Sequence, residues 1–204
     1  MTEPVRSEFM VRWQKVARRI RVPLGFVAAA VYLWQLYVHR PQVRMILLSL
    51  VLVLPGLWLR GYASGYVQKN RKLTVTGPYA YTRNPLYLGS ILIAAGFVIA
   101  LMSLPFAIIL TVGFLVIYVP VIASEEAFLR GSFPEFAAYC ERVPRLIPRL
   151  TAARMPGQEA DSTEDGRFSF ERYRKHREYN SAIGAALLYA SLTLGILLRS
   201  ILGF

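Results

Sequence analysis

Five apolar runs set the architecture of this chain. They lie near Pro23–His39, Val43–Leu59, Leu86–Leu104, Pro105–Ala123 and Ser181–Leu198. Each run is about 17–19 residues long, which is just enough for a helix to cross the hydrocarbon core of a bilayer. None alternates polar and apolar residues as a barrel strand does. The sequence therefore predicts an all-α, polytopic transmembrane helix bundle with about five spans and with helices at the cytoplasmic interface.

The basic residues orient this bundle. Of the 24 Lys and Arg residues, 21 fall in the N-terminal arm through Val22, the Arg60–Pro85 loop and the Ser124–Asn180 segment. Because cytoplasmic loops are enriched in Lys and Arg, all three segments are predicted to face the cytoplasm. The prediction is an integral protein of the cell or inner membrane, with a cytoplasmic N-terminus and the C-terminus outside.

The runs and the loops between them divide the chain into four predicted parts. These are a basic amphipathic arm (1–22), a membrane core (23–150), a polar linker with an amphipathic helix near Phe168–Tyr179 (151–180), and the last span (181–204). The arm fits a helix lying on anionic membrane lipids. The linker is expected to be mobile.

Small residues recur in the last span. Ala182, Ala186 and Ala190 are spaced four residues apart. This spacing suits close packing within the bundle, and a homodimer seam is the sharper hypothesis.

Histidine and cysteine are too scarce for several kinds of site. The chain has two histidines, His39 and His176, and a lone cysteine, Cys140. The sequence therefore predicts no metal site, no Ser-His-Asp triad and no intramolecular disulfide. The net charge of +12 is attributed to loops beside anionic lipid, and no nucleic acid partner is expected.

Residues 77–91, GPYAYTRNPLYLGSI, form the junction between a loop and the third run. Asn84-Pro85 predicts a helix N-terminus, with asparagine as the N-cap and proline in the first helical position. The positive end of that helix dipole and Arg83 suit an anionic group. The tyrosines, whose flat faces suit an adenine ring or a cation, are Tyr79, Tyr81 and Tyr87. An aromatic belt with a basic anchor explains the same residues equally well.

Two adjacent carboxylates lie at the inner end of the fourth run. Glu125 and Glu126 stand where the helix dipole disfavours negative charge, unless the helix continues toward Gly131. A tight hairpin at Ser103-Leu104-Pro105 brings them close to the start of the third run. A cationic ligand or Arg83 as a partner explains their position, and a solvated pair is the alternative.

These motifs resemble the isoprenylcysteine carboxyl methyltransferase and phospholipid methyltransferase families of membrane enzymes. GPYAYTRNPLYLG is the first motif, SEEAFL is the second and FPEFAAYCERVPRLIP is the third, so the resemblance covers roughly Val67–Pro148. It implies an S-adenosyl-L-methionine-dependent methyltransferase that binds its cofactor at the cytoplasmic face. A tunnel open to the bilayer is implied for a lipophilic acceptor.

The resemblance also implies site residues. Those expected to bind the cofactor are Gln68, Gly77, Tyr79, Arg83, Asn84, Tyr87, Gly89, Glu126, Tyr139 and Arg142. Glu125 is expected to orient or deprotonate the acceptor, and the two glutamates' roles are interchangeable. Asn84 stands where the family usually has histidine. Tyr118–Ala123 is apolar where the prenylcysteine enzymes carry an arginine, so both an isoprenylcysteine-like carboxylate and a lipid amine remain as acceptors.

Two other functions are alternatives to a methyltransferase. The closing pattern of tyrosine, basic residue, Val-Pro and Leu-Ile-Pro also resembles sterol reductases, which implies an NADPH-dependent membrane sterol or lipid reductase. About five spans are few for such an enzyme. A non-catalytic membrane scaffold leaves the paired glutamates and Arg83 unexplained.

Overall fold

The chain folds as a bundle of helices. The computed structural model describes residues 27–38, 40–68, 72–155 and 166–202. Its α-helices are α1 (Val27–Val38), α2 (Val43–Ser64), α3 (Pro85–Leu101), α4 (Leu104–Ser132), α5 (Phe136–Arg142), α6 (Phe170–His176) and α7 (Tyr179–Leu202). A 3-10 turn covers Gly77–Ala80, and a π-helical stretch, Phe114–Tyr118, lies within α4. The prediction of an all-α fold is confirmed.

The five apolar helices coincide with the five predicted spans. By length and composition α2, α4 and α7 are each able to cross a membrane, and α1 and α3 are shorter apolar helices. The fourth span extends further than the apolar run, because α4 continues to Ser132 and carries both glutamates with it. The N-terminal arm, residues 23–26, His39 and linker residues 156–165 lie outside the described residues.

Glycines allow α2 and α3 to approach closely. A Cβ atom on Gly56 would lie 2.8 Å from the carbonyl oxygen of Gly89. A Cβ atom on Gly96 would overlap Val53 Cγ2. Small residues at helix interfaces let backbones pack tightly in a membrane, where the hydrophobic effect does not drive association. This contact holds the start of α3 against the end of α2.

Side chains from α1, α2, α3, α4 and α7 share one apolar core. Its buried members are Tyr32, Ile46, Val53, Phe97, Ala100, Leu101, Phe106, Ala185 and Leu192. Two hydroxyl pairs tie α7 to its neighbours, since Tyr32 bonds to Ser191 at 2.6 Å and Ser49 bonds to Tyr189 at 2.7 Å. Such interhelical hydrogen bonds stabilise packing where no water is available.

The alanine row of α7 is not its packing face. Ala185 is buried in the core, whereas Ala182, Ala186 and Ala190 are exposed. The row therefore does not pack against the described part of the chain, which corrects the interpretation of it as an intramolecular contact. The homodimer seam stays a prediction.

A short turn joins α3 to α4. Met102 adopts a left-handed φ of 48°, and the Ser103 hydroxyl accepts a hydrogen bond from the Phe106 N–H at 3.2 Å. Pro105 lies in the first turn of α4, where a missing N–H costs no helical hydrogen bond. The predicted helix hairpin is confirmed.

The segment before α7 caps the end of α2. The helix predicted near Phe168–Tyr179 is shorter than expected, because Arg177 adopts a left-handed φ of 53° and ends α6 at His176. Arg172 Nε donates to the carbonyl oxygen of Gly65 at 2.8 Å. A basic side chain thus satisfies a carbonyl that the end of a helix leaves without an intrahelical partner.

Candidate functional site

A cavity of about 450 Å³ lies where α2 ends, α3 begins and α4 leaves its apolar stretch. We call it the polar cavity. Its volume is within the range typical of small-molecule sites. Eight of the residues singled out from the sequence line it, namely Gln68, Tyr79, Arg83, Asn84, Tyr87, Glu125, Glu126 and Tyr139.

The 3-10 turn places Tyr79 in the cavity wall. Gly77 begins this turn with a φ of 58°, and a Cβ atom there would lie 2.6 Å from the Tyr66 ring. Both features favour glycine at this position. The Tyr139 hydroxyl donates to the carbonyl oxygen of Tyr79 at 2.7 Å, which joins the first motif to the third.

Backbone hydrogen bonds attach the first motif to the chain that follows α5. The Arg83 N–H donates to the carbonyl oxygen of Pro144 at 2.9 Å, and the Ala153 N–H donates to that of Ala80 at 2.9 Å. These contacts hold two irregular segments in one arrangement. The wall therefore depends on residues about 60 positions apart in sequence, as the Asn84 to Arg145 contact shows.

Asn84 lies at the predicted N-cap position, but its side chain does not make the predicted capping hydrogen bond. It is the N-cap residue of α3, and Pro85 follows in the first helical position. Its side chain makes no capping hydrogen bond. Its Nδ2 donates to the carbonyl oxygen of Arg145 at 3.0 Å. Asn84 thus joins the two segments as well as starting the helix.

Glu126 is buried between two arginines. Its carboxylate lies 3.3 Å from Arg83 Nη1 and accepts hydrogen bonds from Arg145 Nε, at 3.1 Å, and Arg145 Nη2. Only 11% of the Glu126 side chain is exposed. Two guanidinium groups against one carboxylate give this cluster a net positive charge, which suits an anionic group.

Arg83 has donor capacity left over. Its Nη1 also lies 2.7 Å from Cys140 Sγ, whereas its Nε is buried and has no hydrogen-bond partner among the described residues. Leaving a buried N–H unsatisfied is costly, and such a group calls for an explanation. Because Arg83 lines the polar cavity, a ligand oxygen is the partner that would satisfy it.

Glu125 has a different environment from Glu126. The Tyr87 hydroxyl donates to Glu125 Oε2 at 3.1 Å in an exposed contact. The Tyr87 ring meets the Tyr118 ring edge-on, with the ring centroids 5.6 Å apart. Glu125 is therefore oriented by a neutral group, and its negative charge faces the cavity.

Burial sets the protonation of the tyrosines in the wall. It raises the pKa of the Tyr79 hydroxyl and that of the Tyr139 hydroxyl above their ordinary value. Both stay neutral at physiological pH. The hydrogen bond to Glu126 raises the pKa of the Arg145 guanidinium, which therefore stays charged.

Three residues carried over from the resemblance lie outside the wall. Gly77 shapes the turn behind Tyr79. Gly89 faces α2, where a Cβ atom would lie 2.6 Å from Arg60 Cγ. Arg142 is turned away, since its Nη1 donates to the carbonyl oxygen of Arg154 at 2.9 Å in an exposed contact.

Two arginines close to the cavity were not predicted from the sequence. Arg145, rather than Arg142, reaches Glu126, because α5 ends at Arg142 and Val143 is extended. Val143 is buried, and the half-exposed Arg145 side chain two residues later contacts Glu126. No local signal in the sequence distinguishes Arg145 from Arg142. Arg60 lines the cavity from the last turns of α2. The sequence signal that could have identified it is a charged residue directly after an apolar run.

A second space, of about 820 Å³, lies between α1, α3, α4 and α7. We call it the apolar groove. Leu33 and Leu187 line it and are 60% and 66% exposed, so it opens at the surface of the bundle. Arg60 and Ser90 line both the groove and the polar cavity. The two spaces therefore meet at these two side chains.

One part of the chain matches a known protein family. Residues 41–135 match the sequence model of the family described as Phospholipid methyltransferase. The match covers 95 of the 204 residues. The match contains both glutamates and the whole first motif, and it ends before α5. The resemblance noted in the sequence is confirmed for this segment.

Two relatives match over a similar length. The cobalt-zinc-cadmium resistance protein CzcN of Cupriavidus metallidurans is 40% identical over 98 residues, and the nickel-cobalt-cadmium resistance protein NccN of Alcaligenes xylosoxydans xylosoxydans is 39% identical over 98 residues. Each match covers 48% of this chain and 44% or 45% of the relative. The chain thus matches less than half the length of these relatives. No solved structure matches it.

Proposed function

We propose that this protein transfers the methyl group of S-adenosyl-L-methionine to a lipophilic acceptor in the membrane. The observation that carries this proposal is the junction of the polar cavity and the apolar groove at Arg60 and Ser90. A charged cofactor and an apolar acceptor need chemically different spaces that meet where the reacting atoms meet. The match of residues 41–135 to the model of this family supports methyl transfer as the reaction class.

The polar groups of the cavity fit this cofactor. Its carboxylate matches Arg83, whose buried Nε has no hydrogen-bond partner in the described chain. Glu126 then acts by holding Arg83 and Arg145 in place, which differs from the direct contact expected from the sequence. When bound, S-adenosyl-L-methionine supplies a methyl group on a positively charged sulfur.

The protein contributes orientation, exclusion of water and a proton acceptor. Tyr79 and Tyr139 are buried, so that wall of the cavity is largely shielded from solvent. Tyr87 orients the Glu125 carboxylate. With an amine acceptor, Glu125 takes up the proton that the nitrogen loses, whereas a carboxylate acceptor needs no base.

The acceptor is an amphiphile with a long apolar chain in the groove and a small nucleophilic group at the junction. A lipid amine and an isoprenylcysteine-like carboxylate both meet this description. The two relatives are named for resistance to metals, and neither name specifies an acceptor. Truncating the chain should lower turnover as well as affinity, because binding along the chain positions the reacting atom.

We also propose that the polar cavity faces the cytoplasm. Arg60 of α2 contacts the Leu86 carbonyl oxygen and Glu178, so α2 ends where α3 and α7 begin. This end carries the basic loops. In a Cys140→Ser background, a cysteine at Gln158 should be labelled from the cytoplasmic side and one at Gln42 from outside. Labelling of both from one side contradicts this orientation.

Titration calorimetry on the detergent-purified protein tests the reaction class. We expect S-adenosyl-L-methionine to bind and NADPH not to bind. Radiolabelled methyl transfer is then measured to aminophospholipids, prenylcysteine analogues and isoprenoid acids, each with a short-chain control. Binding of NADPH alone would identify a reductase, and binding of neither would favour a scaffold. Transfer only to water-soluble acceptors would contradict the membrane acceptor.

A further inference from the structure

Arg60 lies between the two spaces and is held by groups from three elements. Its Nε and Nη2 donate to Glu178 Oε2 at 3.1 and 2.8 Å. Its Nη1 donates to the Leu86 carbonyl oxygen at 3.2 Å and to the Ser90 hydroxyl. The Arg60 and Glu178 side chains are 22% and 14% exposed. A largely buried guanidinium beside an apolar groove carries a desolvation penalty, so a functional reason for it is expected.

The partner of Arg60 comes from outside the family segment. Glu178 lies between α6 and α7, and Ser181 of α7 also accepts a hydrogen bond from Arg60 Nε at 3.2 Å. The family match ends at residue 135. α7 also lines one side of the apolar groove. The C-terminal part of this chain therefore completes both the junction and the groove.

We propose that Arg60 is the residue that recognises the acceptor, and that it binds an anionic oxygen group, a carboxylate or a phosphate, carried beside the acceptor's apolar chain. The inference rests on the proposed function, because it describes the acceptor's path to the same cavity. A guanidinium matches either anion through two parallel N–H groups. Its place on the walls of both spaces fixes the anionic group at the end of the groove, next to the cofactor's space.

Glu178 balances the charge of Arg60 while no acceptor is bound. An anionic group arriving along the groove competes with this carboxylate for the same guanidinium. The two partners of the ion pair therefore have opposite effects on acceptor binding. Removing the charge of Arg60 weakens acceptor binding, and removing the charge of Glu178 strengthens it. A pair that served only to hold α2 against α7 would weaken binding in both variants.

The test uses the full chain in nanodiscs of neutral lipid. Binding is compared within two pairs of probes, palmitate with methyl palmitate and phosphatidic acid with diacylglycerol, so that a carboxylate source and a phosphate source are separated. We expect the native chain to bind the anionic member of at least one pair about tenfold more tightly, in line with a hydrogen-bonded charge pair. Arg60→Gln should abolish that preference, and Glu178→Gln should increase it. Arg60→Lys, which keeps the charge but loses the fork, should retain part of it.

Arg199→Gln is the matched control. Arg199 is also an arginine on a spanning helix, and its Nη2 donates to the Leu36 carbonyl oxygen at 2.8 Å, away from the groove's junction. It should leave the preference unchanged. Equal binding within both pairs, a preference retained in Arg60→Gln, or weaker anion binding in Glu178→Gln would each overturn the inference. If Arg60→Gln does not fold, the binding preferences of the native chain and of Glu178→Gln still test the inference. The proposed function is tested separately, because it fails if the native chain does not bind S-adenosyl-L-methionine.

Discussion

The polar cavity and the apolar groove share Arg60 but are built in opposite ways. The cavity wall joins separate segments, through side chains such as Glu126 and backbone contacts such as Arg83 to Pro144. The groove wall consists of faces of four helices, α1, α3, α4 and α7, together with Arg60 of α2. A charged group in the cavity fixes several neighbours at once, whereas a groove residue acts mainly through its volume. Substitutions in the two regions should therefore have effects that differ in magnitude and in the property they change, cofactor affinity for the cavity and acceptor binding for the groove.

The largest effect is expected from the glutamate between the arginines. Without the charge of Glu126, Arg83 and Arg145 repel each other and lose their common partner. Glu126→Gln and Arg83→Ala should each lower the affinity for S-adenosyl-L-methionine by about 1.5–3 kcal/mol, the range for hydrogen bonds to charged groups. Calorimetry in detergent measures this. Glu135→Gln, at an exposed glutamate, is the control and should have no effect.

Unchanged cofactor affinity in both Glu126→Gln and Arg83→Ala would return these residues to a role in anchoring the helix ends. There would then be no reason to assign the cofactor to the polar cavity instead of the apolar groove.

A smaller and different effect is expected from filling the groove. Ala94 of α3 lines it, so Ala94→Phe occupies space meant for an apolar chain. We expect the KM for a long-chain acceptor to rise about tenfold, with cofactor affinity unchanged, because an added side chain in a packed space must displace something. Methyl-transfer kinetics with long- and short-chain acceptors measure the change.

The matched variant for the groove is Ala190→Phe, on an exposed face of α7. It adds the same side chain and should leave the KM unchanged. A loss in Ala94→Phe that is equal for long and short chains, or that includes the cofactor, would show that the groove does not hold the acceptor's chain.

The smallest effect separates two nearby arginines of the third motif. Arg145 bonds to Glu126 but is 47% exposed, so solvent screens the pair. Arg145→Gln should weaken cofactor binding about threefold, and Arg142→Gln should leave it unchanged, since exposed pairs contribute little. Calorimetry compares the two variants. A larger loss in Arg142→Gln would restore the assignment made from the sequence and contradict the geometry described for Arg145.

The helices and the first motif could be predicted because their causes are local. Run length identifies a span, and Asn84-Pro85 marks the start of α3. The pairing of Glu126 with Arg83 was one of the explanations open from sequence, and the structure shows that contact. The packing face of α7 was not predictable in this way. Spacing shows which residues share a helix face but not which face meets a neighbour, so Ala185 is buried instead of Ala186.

Hydropathy and helix-start signals act within one turn or one run of residues, so they are enough to predict a helical membrane protein with a charged junction beside its third span. Which charged groups share that junction follows instead from the packing of the helices. Glu178 and Arg60 are 118 residues apart, and no local rule pairs them. They meet because glycines bring α2 against α3 while α6 turns back over the end of α2, and burial then requires each charge to find a partner.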